Sequence, residues 1–337
     1  MRSRSFLKDV YAVIPVVLSG FLCIALAFFL WQRVQTTPDF VETLNDVASI
    51  FISISGFLSA LIMIYLVSSA MGLKTNRETV VDNLSRITQK MHNFRSIIEL
   101  LLRSKIWLPG LKEYIDDEFA GLNFFEVKEF YKGKSKLAIE FLQETHHYQD
   151  TENLYLELKS LLMTNPREKS IPENIPYPKV YGKDIVEKWL EHKCGSGLWY
   201  YFGYKYGVFK DALDYNNVFE RHQEKIMTLA NAIDSKEFED SSFNEVFLSK
   251  LGEYMANEVI PKLYQFREKM DQKMPRMIRY LYIVFLLLVL SGVLLPLAYL
   301  LFSLSVLTII ISFSLVVGII FFLSISLYPF LMREASS

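Results

Sequence analysis

Five histidines and two cysteines are the residues of this 337-residue chain best suited to nucleophilic or metal chemistry. Cys23 and Cys194 lack any zinc spacing and fall in segments of different character, so neither a metal knuckle nor a disulfide is expected. Glu144-x-x-His147 supplies half of the Glu-x-x-His pattern of a di-iron bundle, with Glu140 one turn earlier. A di-iron centre needs a second such pair and two further carboxylates, and the sequence has no second Glu-x-x-His. A solvated charged face explains the residues better. Also absent are H-E-x-x-H, a nucleophile elbow and the glycine–lysine phosphate loop. No cofactor, metal or catalytic residue is assigned, and the chain reads as a protein other than an enzyme.

The stretch RITQKMH carries Arg86 and His92 with five residues between them. The pair resembles the arginine–histidine motif of helical HEPN ribonuclease domains, where four intervening residues are usual. Ile87 stands where that motif commonly has a polar residue, and positions six apart do not share one helix face. The likeness covers seven residues and identifies no family.

Residues 194–207, CGSGLWYYFGYKYG, pack four glycines and six aromatics into fourteen positions. Trp199, Tyr200, Tyr201, Phe202, Tyr204 and Tyr206 form a candidate partner loop. Three readings compete. Gly195 and Gly197 could end a helix while the rings fill a core gap. The amphipathic rings could instead lie on a partner or at lipid headgroups. Last, the glycines could expose backbone amides to an anion while a ring stacks on a base. A packed turn is the reading favoured, because G-S-G alone is a weak ligand signal.

The elements that position these residues follow from charge. No Asp, Glu, Lys or Arg occurs in 10–32, 47–73 or 280–332. A bilayer crossing needs about 20 apolar residues in helix. The first two stretches hold one span each, near 11–32 and 48–71. The third holds two, near 279–300 and 304–328, with a break at PLAYLLFSLS. Lys and Arg near the span ends fall on one side: Arg2, Arg4 and Lys8; Lys74 and Arg77; Lys269, Lys273, Arg276 and Arg279; Arg333. This places both termini and residues 73–278 in the cytoplasm of a cell-membrane, or inner-membrane, protein. The expected domains are a cytoplasmic N-terminus (1–10), a first transmembrane hairpin (11–72), the cytoplasmic domain (73–278), a second hairpin (279–328) and a cytoplasmic C-terminus (329–337).

Small residues stripe the spans. Ser49, Ser53, Gly56 and Ala60 share one face of the second, Ser19, Cys23 and Ala27 one face of the first, and Ser314 and Gly318 one face of the fourth. Such faces let helices approach closely in lipid, within one chain or between copies. The spans carry no charge, which argues against proton- or ion-coupled transport.

Beyond the second span, Val80, Leu84, Ile87, Met91, Phe94, Ile98 and Leu101 recur at 4-3-4-3-4-3 spacing. They predict a stalk helix over about 74–104, its seam turned to its own bundle or to a coiled-coil partner. A second stalk is expected over about 242–274, bent at Pro261. Between them lie helical patterns near 110–121, 124–132, 134–149, 151–163, 184–193 and 208–233. Four prolines in 165–182 mark an extended surface loop and a candidate lobe boundary.

The fold class expected is an all-α membrane protein, with two transmembrane hairpins bracketing a helical cytoplasmic domain on long stalks. The domain is nearly balanced in acid and base, so no broad nucleic-acid surface is expected. The lipid bilayer and further copies of the chain are the partners, with a cytosolic protein possible. The function expected is a homo-oligomeric, channel-like permeability effector whose cytoplasmic domain senses a signal or partner. The alternatives are a non-catalytic scaffold recruiting a cytosolic protein and, last, a membrane-tethered enzyme.

Overall fold

The computed structural model describes the backbone of residues 3–37, 39–130, 135–144, 149–172, 174–271 and 274–334, and side chains there except at 3–13, 149, 276 and 327–334. Two long helices open the chain, α1 (Ser3–Thr36) and α2 (Phe40–Arg103). Seven short ones follow: α3 (Leu111–Glu118), α4 (Phe124–Lys128), α5 (Lys136–Glu144), α6 (Gln149–Leu162), α7 (Lys183–Glu191), the single turn α8 (Ser196–Leu198) and α9 (Tyr206–Phe209). A π-helix, Trp199–Tyr204, joins the last two. Then come α10 (Glu220–Ile233), α11 (Ser235–Phe238), α12 (Glu245–Tyr254) and α13 (Ile260–Met270). Last are α14 (Arg276–Val289), α15 (Leu295–Phe302) and α16 (Val306–Glu334). No strand occurs among the described residues. The described parts of 1–75 and 273–337 form one compact unit, and those of 76–272 another; α2 contributes to both.

In the first unit four segments are long and apolar enough to cross a membrane: Ile14–Thr36, the first part of α2, Met277–Phe302 and Val306–Ser326. They match the four spans read from sequence, and the chain is a multi-pass membrane protein. Phe21, Ile24 and Phe28 are about 70% exposed, a surface that only lipid would cover at low cost. Gly318 lets α16 approach α1, since a Cβ there would lie 3.2 Å from Cys23 Cβ and 3.4 Å from the Ser19 carbonyl. The small stripes of the first and fourth spans thus meet. Ser314 is buried and hydrogen-bonds back to the Ile310 carbonyl.

On α2 the buried small residues are Ala48, Ser55 and Ser59, while Ser49, Ser53 and Ala60 are exposed and Gly56 has open space about it. One residue of helix is a turn of about 100°, so the face the chain itself uses lies beside the expected one. Ser55 meets Gly292, Phe51 meets Phe313 at 4.1 Å between ring centroids, and Tyr299 donates to Asn45 at 2.9 Å.

Two prolines interrupt helices in the same way. Pro296 follows a π-helical turn at Leu290–Leu294, and Pro261 follows one at Met255–Val259. A proline gives no N–H to the carbonyl four residues back and crowds it; a wider turn relieves both. The bend expected at Pro261 is this π turn.

The second unit is a bundle around one apolar core. Leu84, Met91, Phe94, Ile98 and Leu101 of the α2 seam are buried in it, Ile87 packs against it, and Val80 is half-buried. Phe141 of α5, Leu154, Leu158 and Leu161 of α6, Trp189 of α7, and Leu248 and Leu251 of α12 close around them. Burying one such side chain is worth about 1.5–3 kcal/mol, so the seam's first use is intrachain packing. A polar clamp ties α2 to the far elements: Lys90 Nζ reaches Asp234 (3.1 Å) and Tyr254 (3.0 Å), and Tyr254 donates to Asp234 at 2.6 Å.

The proline loop does not divide this unit, because α2 holds it. Arg95, fully buried, donates to the Pro176 carbonyl, and the His92 ring lies 3.0 Å from the Pro178 carbonyl. The helix expected over 208–233 starts late, at Glu220. Residues 106–108 pair instead with 212–214 through Leu108 N–H to Ala212 O and Asp214 N–H to Ile106 O. The Asp214 side chain then caps the turn at Tyr215–Asn217.

Candidate functional site

The glycine–aromatic segment begins where α7 runs out. Lys193 and Gly195 take left-handed backbone angles, φ 49° and 98°, and reverse the chain. The π-helix then packs on α12 through glycines on both sides. A Cβ on Gly252 would sit 2.6 Å from the Gly195 carbonyl and 2.8 Å from Trp199 N, and one on Gly203 would collide with Ser249 Oγ. Leu198, Tyr201 and Phe202 are buried, and Tyr206 is half-buried with its ring on Phe202 and Tyr215. These residues form a packed turn. Trp199 and Tyr204 are 43% and 72% exposed, and Tyr200 stacks on Tyr204 with Lys205 over its ring.

The same segment also walls a cavity of about 530 Å³. Phe124 and Lys128 of α4, Asp150, Asn153 and Glu157 of α6, His192, Lys193, Ser196 and Gly197, Trp199 to Tyr201, and Glu253, Ala256 and Asn257 line it. Glu157 is its buried carboxylate. Glu157 Oε1 accepts from Gly195 N–H at 2.7 Å and Gly197 N–H at 3.0 Å. A Cβ at position 197 would lie 2.6 Å from Glu157 Oε2, so any larger residue there displaces the carboxylate. Burial pushes the Glu157 carboxyl up to about 7, against the pull of the two amides and of Lys128. Asn153, one turn earlier on α6, has its Oδ1 buried without a hydrogen-bond partner. Burial likewise pushes the neighbouring Cys194 thiol well above its ordinary value, which leaves it a poor nucleophile.

A raised carboxyl pKa sets the sign of a pH effect. Protons bind more tightly in the folded state, so this contribution is full below about pH 4.5 and is lost as pH rises through about 7. The swing is about 3 kcal/mol. Glu157→Gln keeps an acceptor for the two glycine amides and removes the titration. Thermal unfolding in nanodiscs should show the variant gaining on the native protein from pH 5 to pH 8. Parallel curves would mean that Glu157 is not a buried acid.

Glu129, Glu191 and His192 bring three ligand atoms within 4.8 Å of one another, the one metal-like cluster among the described residues. Lys188 already bonds both carboxylates, to Glu191 at 2.9 Å and more closely to Glu129. An ammonium in that position does the work of a cation, and a metal would have to displace it. His147 lies outside the described residues, so the Glu144-x-x-His147 pair has no structural account. Arg86 is exposed, whereas His92 turns to Pro178 with its ring against Tyr177 and Tyr181. The two residues therefore have different surroundings.

Motif reading missed Glu157, Asn153 and Lys128. One signal was available: a glutamate inside the apolar run LYLELKSLL, four residues after an asparagine, which puts both on one helix face. Comparison of the chain with protein-family models, curated proteins and solved structures gives no match.

Proposed function

We propose that this chain is a membrane-embedded sensor and effector. The cavity of the helical domain takes up a small polar ligand, and the spans, as a homo-oligomer, answer by changing bilayer permeability. The cavity carries the reading: a space of about 530 Å³, floored by a buried carboxylate and an unpartnered amide oxygen, has the size and the few convergent polar groups of a ligand site. In this reading the domain and both termini face the cytoplasm, following the positive residues at the span ends.

The stripe Ser49, Ser53, Gly56 and Ala60 is the face on which copies meet. No atom of a neighbouring element lies within 4 Å of a Cβ built on Gly56, so a side chain there starts into open space. Mass in nanodiscs and solute flux from liposomes test the effector. The expected result is a discrete oligomer and a flux, both lost in Gly56→Leu. Unchanged mass and flux in the variant would end the effector reading. A monomeric native protein favours the scaffold reading, which the exposed Trp199, Tyr204 and Val208 support as a partner surface. The sensor half is tested by Asn257→Trp on the cavity rim, which should keep the oligomer and abolish any ligand response.

A further inference from the structure

We infer that the cavity binds a guanine nucleotide, with the base edge on Glu157 and Asn153 and the phosphate on Lys128 and Lys193. The inference rests on the sensor reading and names its ligand class.

Size comes first. A cavity of about 530 Å³ falls in the range of sites that enclose a ligand of nucleotide size. An amino acid or an inorganic anion would leave much of it to water. The floor then sets polarity. Glu157 Oε1 is already taken by two backbone amides, and no hydrogen bond to Oε2 forms among the described residues. Asn153 Oδ1 is buried and unpartnered. With Glu157 ionised, as it is above about pH 7, both groups accept, and they lie one turn apart on α6, so the fitting ligand at pH 8 presents neighbouring N–H donors. Guanine does so through N1–H and its 2-amino group, the complement of a carboxylate. Adenine places an acceptor beside its amino group and leaves one oxygen unpaired.

The wall and rim supply the rest. Trp199 lines the cavity and is 43% exposed, a free ring on which a base can stack. Lys128 and Lys193 are exposed at the rim and form no ion pair among the described residues, unlike Lys188 and Lys205 nearby. Lys128 lies over the Phe124 ring, and Asp150 in the same lining is already matched by Lys205, so two ammonium groups are left for a phosphate. Glu253 and Asp150 in the same lining disfavour a long phosphate chain, so a monophosphate fits best.

The test is calorimetric titration of the full chain in nanodiscs at pH 8 with GMP, guanosine, AMP and inorganic phosphate. GMP is expected to bind, with AMP and guanosine about tenfold weaker or more. Glu157→Gln should weaken GMP at least about tenfold. Replacing both Lys128 and Lys193 by alanine should bring GMP down to the affinity of guanosine and leave guanosine unchanged. Because these lysines are exposed, that result does not depend on a core substitution folding. AMP binding as tightly as GMP, or GMP binding indifferent to Glu157→Gln, overturns the guanine assignment while leaving the cavity a ligand site. No binding by any of the four at about 1 mM overturns the inference. The sensor reading then stands or falls separately, on whether Asn257→Trp alters flux.

Discussion

Arg95→Ala should cost the helical domain about 3–5 kcal/mol, the largest loss expected of any single substitution in it. Arg95 is fully buried, yet no carboxylate among the described residues pairs with it. Its guanidinium donates to the Leu161 carbonyl at 2.9 Å, the Pro176 carbonyl at 2.7 Å and the Tyr181 hydroxyl at 3.0 Å, and also to the Leu162 carbonyl. Leu161 and Leu162 end α6, where the last carbonyls lack intrahelical partners and the helix dipole is negative. The cation therefore sits against backbone charge rather than a side-chain acid. Tyr177 and Tyr181 rings lie 5.5 and 5.4 Å from it and add a cation–π contribution.

Alanine would leave four acceptors or partners behind, at about 1–3 kcal/mol for each one stranded from water. The sum is not additive, because the proline loop can lift and let water in. Arg95→Lys should recover less than half of the loss, since an ammonium cannot span carbonyls from two chain segments. Tyr181→Phe, which removes one bond of the set, should cost about 1 kcal/mol. Thermal unfolding followed by tryptophan fluorescence measures all three, since three of the four tryptophans lie in this domain. A mild effect of Arg95→Ala would show that the loop is not held by α2.

Arg95 also marks a limit of sequence reading. Its neighbours Met91, Phe94, Ile98 and Leu101 stood out by periodicity, and all of them are buried in the core. Periodicity is a property of local sequence, so spans and seams are legible. Arg95 carries no such signal, because its partners lie 66 to 86 residues away. The cavity was illegible for the same reason. Lys128, Glu157 and Trp199 come from three separate elements, and nothing in their spacing states that they converge. The second-span stripe shows a subtler limit. Ser49, Ser53, Gly56 and Ala60 and the buried Ala48, Ser55 and Ser59 are adjacent faces of one helix, both rich in small residues. Only the position of Gly292 decides which face the chain itself uses. The glycine–aromatic segment divided by residue: Leu198, Tyr201 and Phe202 pack, while Gly195 and Gly197 turn their amides on Glu157.

Gly252→Ala carries the second large expectation, a loss of about 2–3 kcal/mol together with the cavity. Alanine is ordinarily favoured over glycine inside a helix, by about 1 kcal/mol. Here the new methyl would stand 2.6 Å from the Gly195 carbonyl, 2.6 Å from Leu198 Cβ and 2.8 Å from Trp199 N. Two of those three neighbours are backbone, so no rotamer change makes room; α12 and the 195–199 turn must part. Parting them pulls the Gly195 and Gly197 amides from Glu157 and opens the cavity wall, so ligand affinity should fall with stability. Gly203→Ala offers the contrast. Its methyl would meet the Ser249 hydroxyl, the end of a side chain that can turn away, so a smaller loss is expected. Gly182→Ala, with nothing within 4 Å, should be close to neutral. The order of melting temperatures is the measurement: Gly182→Ala near the native protein, Gly203→Ala below it, Gly252→Ala lowest. If Gly252→Ala melts with the native protein, helix propensity has outweighed the contact, and the turn that shapes the cavity does not rest on α12 as closely as its backbone distances require.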